Sequence, residues 1–560
     1  MTAQAAQAAK RKAKGNPAPA AKVVLDSRFP AMGVTERPEW PTIGVMKRLK
    51  VIVPRLLAIA VLLLATACTT AAGNVSDNAA LSNPQAEKVF TVGLAGISEK
   101  YIDPYPVGEL AMKGLGGFTT IDPNLTVRRR GGQVILASAD GPLAVYPQPA
   151  NDNVKGWAAL MVKASAAGRM ASVEMGAADD EKLYQAVFDS ILGDLDRFSH
   201  YSGAEAARRN RARRDGFGGI GIRFRVRGGV VRITSVMPET PAARAGLKKG
   251  DVITAVDGKT LEATSVNALG KRLRGPAGSL VLLGVRRARA PEILNFAFRR
   301  AHIVPPTVTY TFGNGVGTLK ITGFNRQTAH SAAKALRKSV KDEGRALKGI
   351  VIDLRGNPGG LLSQSVKVAD LFLSHGLIIN TRGRNPDSVR HYDAGGLDAA
   401  KGRPVVILMD GKSASASEIV AAALQDRGRA IIVGTSSFGK GTIQTVIRLP
   451  NNGEIALTWS RMITPSGYVL HGLGVPPTVC TSGLEILDRK LMDKVLKWRF
   501  RTATGLETWR NSRFGDKAGR RKLRAACPAE RRRTSFDAVL AKRLIADKIV
   551  YARDIRAGQE

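Results

Sequence analysis

At 560 residues the chain exceeds one ordinary folded unit, and its 44% hydrophobic and 23% charged composition is that of a globular protein, which excludes a fibrous or largely disordered one. The balance of 85 Lys+Arg against 46 Asp+Glu gives a formal net charge of +39, so anionic surfaces attract it. The basic residues are scattered along the chain and aromatics make up only 5%, which argues against a specific nucleic-acid face, where charge gathers and aromatics interleave.

Residues 1–45 form an unassigned basic, Ala-rich extension, either an upstream segment or the product of a mis-called start codon. Residues 46–68 read as a signal peptide: Met46-Lys47-Arg48-Leu49-Lys50 and Arg55 precede an uncharged apolar run, Leu56 to Ala67, that ends in small residues. The run is too short for a membrane span of about 20 residues, so export with cleavage to a bacterial periplasm or cell envelope is expected. Cys68 follows the small residues as a lipid-bearing cysteine would, whereas Ala65 stands where leucine is usual; lipidation and simple cleavage after Ala67 both stay open. In an oxidising compartment Cys480 and Cys527 either pair as a disulfide or remain two buried thiols.

Residues 69–212 read as a small, polar tether followed by a mainly helical region with one strand-like piece, Gln133 to Ala137. From residue 213 to 303 the texture changes to short β-branched runs between glycines, a small β-rich domain with a helix over Ser265 to Leu273. Over 304–485 strands alternate with helices, which argues an α/β core. The strands are Gly317 to Ile321, Gly349 to Leu354, Pro404 to Met409 and Ala430 to Gly434, and the helices Thr328 to Lys341, Leu361 to Ser374 and Ser415 to Arg427. The stretch 486–560 reads as a basic, helical C-terminal extension without evident chemistry.

Three segments of the core could carry chemistry. In Ser413-Ala414-Ser415-Ala416-Ser417-Glu418, Ser415 and Glu418 form the S-x-x-E pattern that caps a helix. The same geometry places a serine hydroxyl beside free N–H groups and the positive end of a helix dipole, where an oxyanion could be held. None of the six histidines stands in an evident triad motif. Lys440, in Ser437-Phe438-Gly439-Lys440-Gly441, is the candidate base, because a desolvated lysine can lose its proton near neutral pH. Asp353-Leu354-Arg355-Gly356-Asn357-Pro358-Gly359-Gly360 closes a strand and is either a plain tight turn or a source of oxyanion donors. Gly434 to Lys440 also matches G-x-x-x-x-G-K, but Gly441 replaces the magnesium-binding Ser/Thr and Thr442 to Leu449 alternates like a strand where a phosphate-binding loop needs a helix.

Together these segments, from about Glu181 to Val479, resemble the carboxyl-terminal processing proteases, the tail-specific Ser-Lys peptidases of family S41. The Ser-Ala-Ser-Ala-Ser-Glu and Phe-Gly-Lys-Gly motifs fall on Ser413 to Glu418 and Phe438 to Gly441, with Ser415 and Lys440 separated by 25 positions as in the family. The resemblance implies Ser415 as nucleophile, Lys440 as general base, Gln444 orienting the lysine, and the N–H groups of Gly359 and Ala416 as the oxyanion hole. Residues 213–303 resemble the PDZ domain such proteases carry. Gly219-Ile220-Gly221-Ile222 is similar to its carboxylate-binding loop, with Val266, Leu269 and Leu273 beside the peptide groove. The chain departs from the family's Leu-Asp-Pro-His-Ser-x-Tyr at Leu195 to Tyr201, a difference expected to touch substrate access more than chemistry.

The expected fold is a multidomain α/β protease core with an inserted β-rich PDZ domain and a helical N-terminal region. The expected activity is that of an exported serine endopeptidase that recognises protein C-termini and needs no metal or cofactor. Its expected partners are protein or peptide substrates with apolar C-termini, an adaptor protein, and a membrane surface reached through Cys68 lipidation or basic charge. A catalytically silent PDZ scaffold is the alternative.

Overall fold

The computed structural model describes residues 83–261, 266–288, 290, 292–484, 490, 493, 495, 500–531 and 535–557. The signal-like segment, Cys68, residues 1–45 and nearly all of the tether lie outside them.

The core is a six-stranded sheet in the order Val308–Gly313, Val316–Ile321, Gly349–Asp353, Val405–Met409, Ile431–Gly434 and Val479–Cys480. The first pair is antiparallel and every later pair is parallel. Gly349–Asp353, Val405–Met409 and Ile431–Gly434 are buried at every position, so their uninterrupted apolar runs are those of strands covered on both faces. One face is covered by Thr328–Asp342, Leu362–Asp370 and Ala416–Asp426.

The other face is covered by the C-terminal stretch. Helix Ser535–Ala546 lays Phe536, Leu540, Leu544 and Ile545 on Val351, Val406, Leu408, Ile431 and Val433. Each of those four side chains contributes about 1.5–3 kcal/mol through burial. Helix Ser535–Ala546 is therefore a structural layer of the α/β core and not an appendage, because a parallel sheet left bare on one face would expose its apolar strands.

Cys480, in the last core strand, is joined to Cys527 by a disulfide across 47 positions, with the Cα atoms 6.0 Å apart. In the chain-entropy account such a loop is worth about 4 kcal/mol. Reduction, or Cys527→Ser, is expected to lower the calorimetric unfolding midpoint, and an unchanged midpoint would show that the bond constrains nothing.

The N-terminal region packs helices Pro84–Lys100, Val107–Gly116, Val154–Ala171 and Asp180–Leu195 around Phe90, Phe118, Trp157 and Phe188. Beside them lies a three-stranded sheet, Thr126–Arg130, Gln133–Ser138 and Gly141–Pro147, of which the sequence pattern shows only the middle strand. This region seats on the hairpin Thr442–Arg448 and Glu454–Ile463 through Ile447, Leu449, Ile455 and Leu457.

The inserted β-rich domain orders its strands Ile293–Arg299, Leu280–Arg286, Val252–Val256, Val230–Val236 and Ile222–Arg227. Among the described residues Ile222–Arg227 pairs on one side only, as an edge strand.

Candidate active site

Three adjacent parallel strands, Gly349–Asp353, Val405–Met409 and Ile431–Gly434, release their following loops at the same end of the sheet. This is why residues far apart in sequence, the glycine turn, the Ser415 loop and the Lys440 loop, meet at the carboxyl ends of the strands, where open α/β sheets hold their ligands.

The glycine turn and the serine loop are fastened together. Ala414 N–H and Ser417 Oγ both donate to the Asn357 carbonyl at 3.0 Å, and Asp410 Oδ1 accepts from Gly356 N–H at 2.9 Å and from Ser413 Oγ at 3.2 Å. Arg355 is half-buried and clamps both carboxylate oxygens of Asp353 at 2.9 and 3.0 Å, and reaches Asp537 at 3.2 Å. A Cβ on Gly359 would fall 2.9 Å from Ser415 Cβ and 3.0 Å from Ala416 N, so only glycine lets this backbone lie against the serine.

Ser415 is the N-cap of helix Ala416–Asp426 and has φ +55°, ψ −113°. A left-handed φ on a non-glycine residue costs on the order of 1–3 kcal/mol and persists only where the surroundings hold it. Its backbone N–H donates to Glu418 Oε2 at 2.7 Å. Glu418 itself is fully buried and takes three further donors: Lys440 N–H at 2.9 Å, Gly439 N–H at 2.6 Å and the Ser437 hydroxyl. Burial pushes this carboxyl above its ordinary pKa, and the four donors pull against that. One carboxylate thus ties the serine loop to the lysine loop.

Lys440 is half-buried, with its ammonium 5.0 Å from the centre of the Phe198 ring. Desolvation holds its pKa below the ordinary lysine value, against the opposing charges of Asp196 and Glu418. Phe198 is in turn covered by the Arg197 guanidinium, 4.6 Å from its ring centre, and by the edge of His471, 5.8 Å away. The departure at Leu195 to Tyr201 thus places an aromatic ring beside Lys440.

Phe198→Ala is expected to move the acid limb of the pH–rate profile upward, toward the ordinary lysine value. Losing an apolar wall raises a lysine pKa by more than losing a cation–π contact lowers it. A downward move would show that the ring acts mainly as a cation–π partner.

Two residues of the expected site make other bonds. The Gln444 amide donates to Thr442 Oγ1 at 3.0 Å and Thr458 Oγ1 at 3.3 Å, not to Lys440. A bulge between Ile443 and Gln444 sets the direction of that side chain. Gly359 N–H donates to Asn357 Oδ1 at 2.9 Å. Ala416 opens the helix, where a backbone N–H has no acceptor within the helix.

In the β-rich domain, Gly219, Ile220, Gly221, Ile222, Val266 and Leu273 line one groove of about 910 Å³. Leu269 does not, being fully buried in that domain's core. Helical rotation of about 100° per residue puts Val266, Gly270 and Leu273 on the groove and turns Leu269 beneath them.

Sequence reasoning also missed Arg524, from helix Lys517–Ala525. Its guanidinium donates to the carbonyls of Ser437, at 3.0 Å, and Leu473, so the C-terminal stretch braces the lysine loop. Arg520 does the same for Val469 and His471, both at 2.7 Å. No local pattern marks either arginine within a uniformly basic helix.

Residues 315–481 match peptidase family S41 and residues 232–287 match the PDZ domain. Over 305 residues the chain is 39% identical to the carboxy-terminal-processing protease of Bartonella bacilliformis, covering 54% of this chain and 70% of that protein. Over 308 residues it is 35% identical to a carboxy-terminal processing protease of Bacillus subtilis, covering 54% of this chain and 63% of that one. The solved photosystem II D1 C-terminal processing protease is 27% identical, with a TM-score of 0.32 over 56% of this chain and 87% of its own. The chain belongs to peptidase family S41, as a C-terminal processing serine protease that carries a PDZ domain.

Proposed function

We propose that the chain is an exported endopeptidase that captures protein C-termini on its PDZ groove and cleaves through a Ser415–Lys440 site. The observation that carries this reading is the single buried carboxylate of Glu418, which couples a strained, partly exposed Ser415 to a desolvated Lys440. Lys440 takes the Ser415 proton as Oγ attacks the scissile carbonyl, and the collapsing tetrahedral intermediate expels the amine with that proton. Water then cleaves the acyl-enzyme. In this reading Gly359 N–H exchanges Asn357 for the oxyanion beside Ala416 N–H, and the Gln444 amide oxygen accepts from Lys440 while its Nε2 keeps the two threonines. The Cys480–Cys527 bond and the signal-like segment support export to an oxidising compartment.

The test is labelling with a fluorophosphonate, followed by mass mapping, alongside cleavage of an unstructured protein with an apolar tail. The adduct is expected on Ser415 and is expected to vanish in Lys440→Ala. An adduct elsewhere, or cleavage without one, overturns the assignment; tail binding without labelling or cleavage supports the silent scaffold.

A further inference from the structure

The PDZ groove carries a charge that peptide capture alone does not require. Eight cationic side chains line it against one carboxylate, Glu205. Glu205 is already shared by Arg209 at 3.2 Å and Lys271 at 3.6 Å, and Arg211 is taken by Glu454 at 2.9 Å. Arg208 and Arg213 on helix Ala204–Arg214, and Arg223 and Arg225 on the edge strand, have no ion-pair partner among the described residues. Burial, and then the neighbouring Arg208, push Arg274 below the ordinary guanidinium value, as uncompensated positive charge should. Water and small ions satisfy scattered surface arginines at no cost, but crowding like charges along one groove is unfavourable unless a counter-charge enters.

The strand pattern says where that counter-charge belongs. Along Ile222–Arg227, Ile222, Phe224 and Val226 pack on the domain core, while Arg223 and Arg225 alternate to the other face. Ile220 and Gly221 N–H have no acceptor among the described residues, so they are available to a terminal carboxylate. A peptide whose carboxylate sits there and which adds antiparallel to the open edge points its last side chain, and every second one before it, toward Ile222 and Leu273. Its penultimate side chain and alternates from there lie on the face of Arg223 and Arg225.

We infer that the groove selects acidic tails: protein C-termini with an apolar last residue and Asp or Glu at the penultimate and alternate positions before it. This inference rests on the PDZ groove being the tail receptor. It narrows the expected apolar tail to a two-faced one. Simple attraction to a chain of net charge +39 would be indifferent to register and to the terminal carboxylate.

The test is fluorescence anisotropy of short labelled peptides on the full chain carrying Ser415→Ala, to prevent turnover. Four tails share an apolar last residue: one acidic at the alternate positions, one acidic at the intervening positions, one with lysine and one neutral. The first is expected to bind about tenfold tighter than the neutral tail, with the advantage shrinking as salt rises. Amidating its carboxyl end is expected to abolish binding. The double variant R223E/R225E is expected to reverse the order and prefer the lysine tail, a gain that misfolding cannot produce; R208E/R213E is the second variant, expected to weaken acidic-tail binding.

Equal binding of acidic and neutral tails, with amidation still abolishing both, overturns the acidic preference and leaves the PDZ reading standing. Tails that bind regardless of amidation overturn both. Equal affinity for the two acidic registers, with tight binding of anionic lipid vesicles, overturns the inference in favour of a membrane-facing charge.

Discussion

Ser415→Ala is expected to lower kcat/KM by about 10⁴- to 10⁶-fold, the loss seen when a serine hydrolase is left only with its binding site and oxyanion donors. Lys440→Ala is expected to fall by a similar factor, since a serine hydroxyl without a base is not a useful nucleophile near neutral pH. The double variant should fall no further than either alone, because the two side chains perform one proton transfer and their effects cannot add. Lys440 must be neutral to accept the proton, and desolvation lowers its pKa. Wild-type activity is therefore expected to rise with pH across a limb that lies below the ordinary lysine value. Measuring kcat/KM against pH for the wild type, and at one pH for the three variants, checks both points. Additive losses, or a limb at the ordinary lysine value, would remove Lys440 from the role of base.

The second large effect is expected at a residue that touches no substrate. Glu418→Gln keeps the size of the side chain but turns one acceptor into a donor. The hydroxyl of Ser437 can rotate away, but the N–H groups of Ser415, Gly439 and Lys440 are fixed in the backbone and already point at the carboxylate. The new amide must face at least one of them, with no water to intervene at a fully buried position. Leaving such groups unpaired costs about 3 kcal/mol or more. The loops then separate, and a displacement of about 1 Å between nucleophile and base is worth on the order of 10²-fold in rate. Calorimetry and kcat together decide the matter. Ser437→Ala leaves the carboxylate its other three donors but also strips the buried Val475 N–H of its acceptor, so it should cost stability while lowering kcat much less. A Glu418→Gln protein with a normal melting point and normal kcat would show that the shared carboxylate is not what joins the loops.

The parallel core strands and the nucleophile and base segments were legible in the sequence, because each is a local pattern. An apolar run covered on both faces reads as a buried strand without knowledge of its neighbours, and Ser415 with Glu418 reads as a helix start from four consecutive positions. What failed to show depends on pairings across long stretches of chain. Phe198 reaches Lys440 because the strand His200–Ser202 pairs with Glu454–Ala456, a register no local window contains. Leu269 was misplaced by one helical step, since Val266, Leu269 and Leu273 are nearly equivalent on a helical wheel and only packing decides which side chain turns inward. Gln444 was assigned by its spacing from Lys440, and its bonds to Thr442 and Thr458 depend on the hairpin pairing, which a local window does not contain. Arg524 stands among many arginines, and its bond to the Ser437 carbonyl singles it out only after folding.

The brace supplied by Arg524 and the sheet cover supplied by Ser535–Ala546 have a consequence in time. A ribosome completes Ser415, Glu418 and Lys440 well before it reaches the segment that holds them in place. A nascent chain thus contains every reactive group and lacks the scaffold that aligns them, with one face of its central sheet still bare. Alignment of the reactive groups therefore waits on the docking of the helices made last.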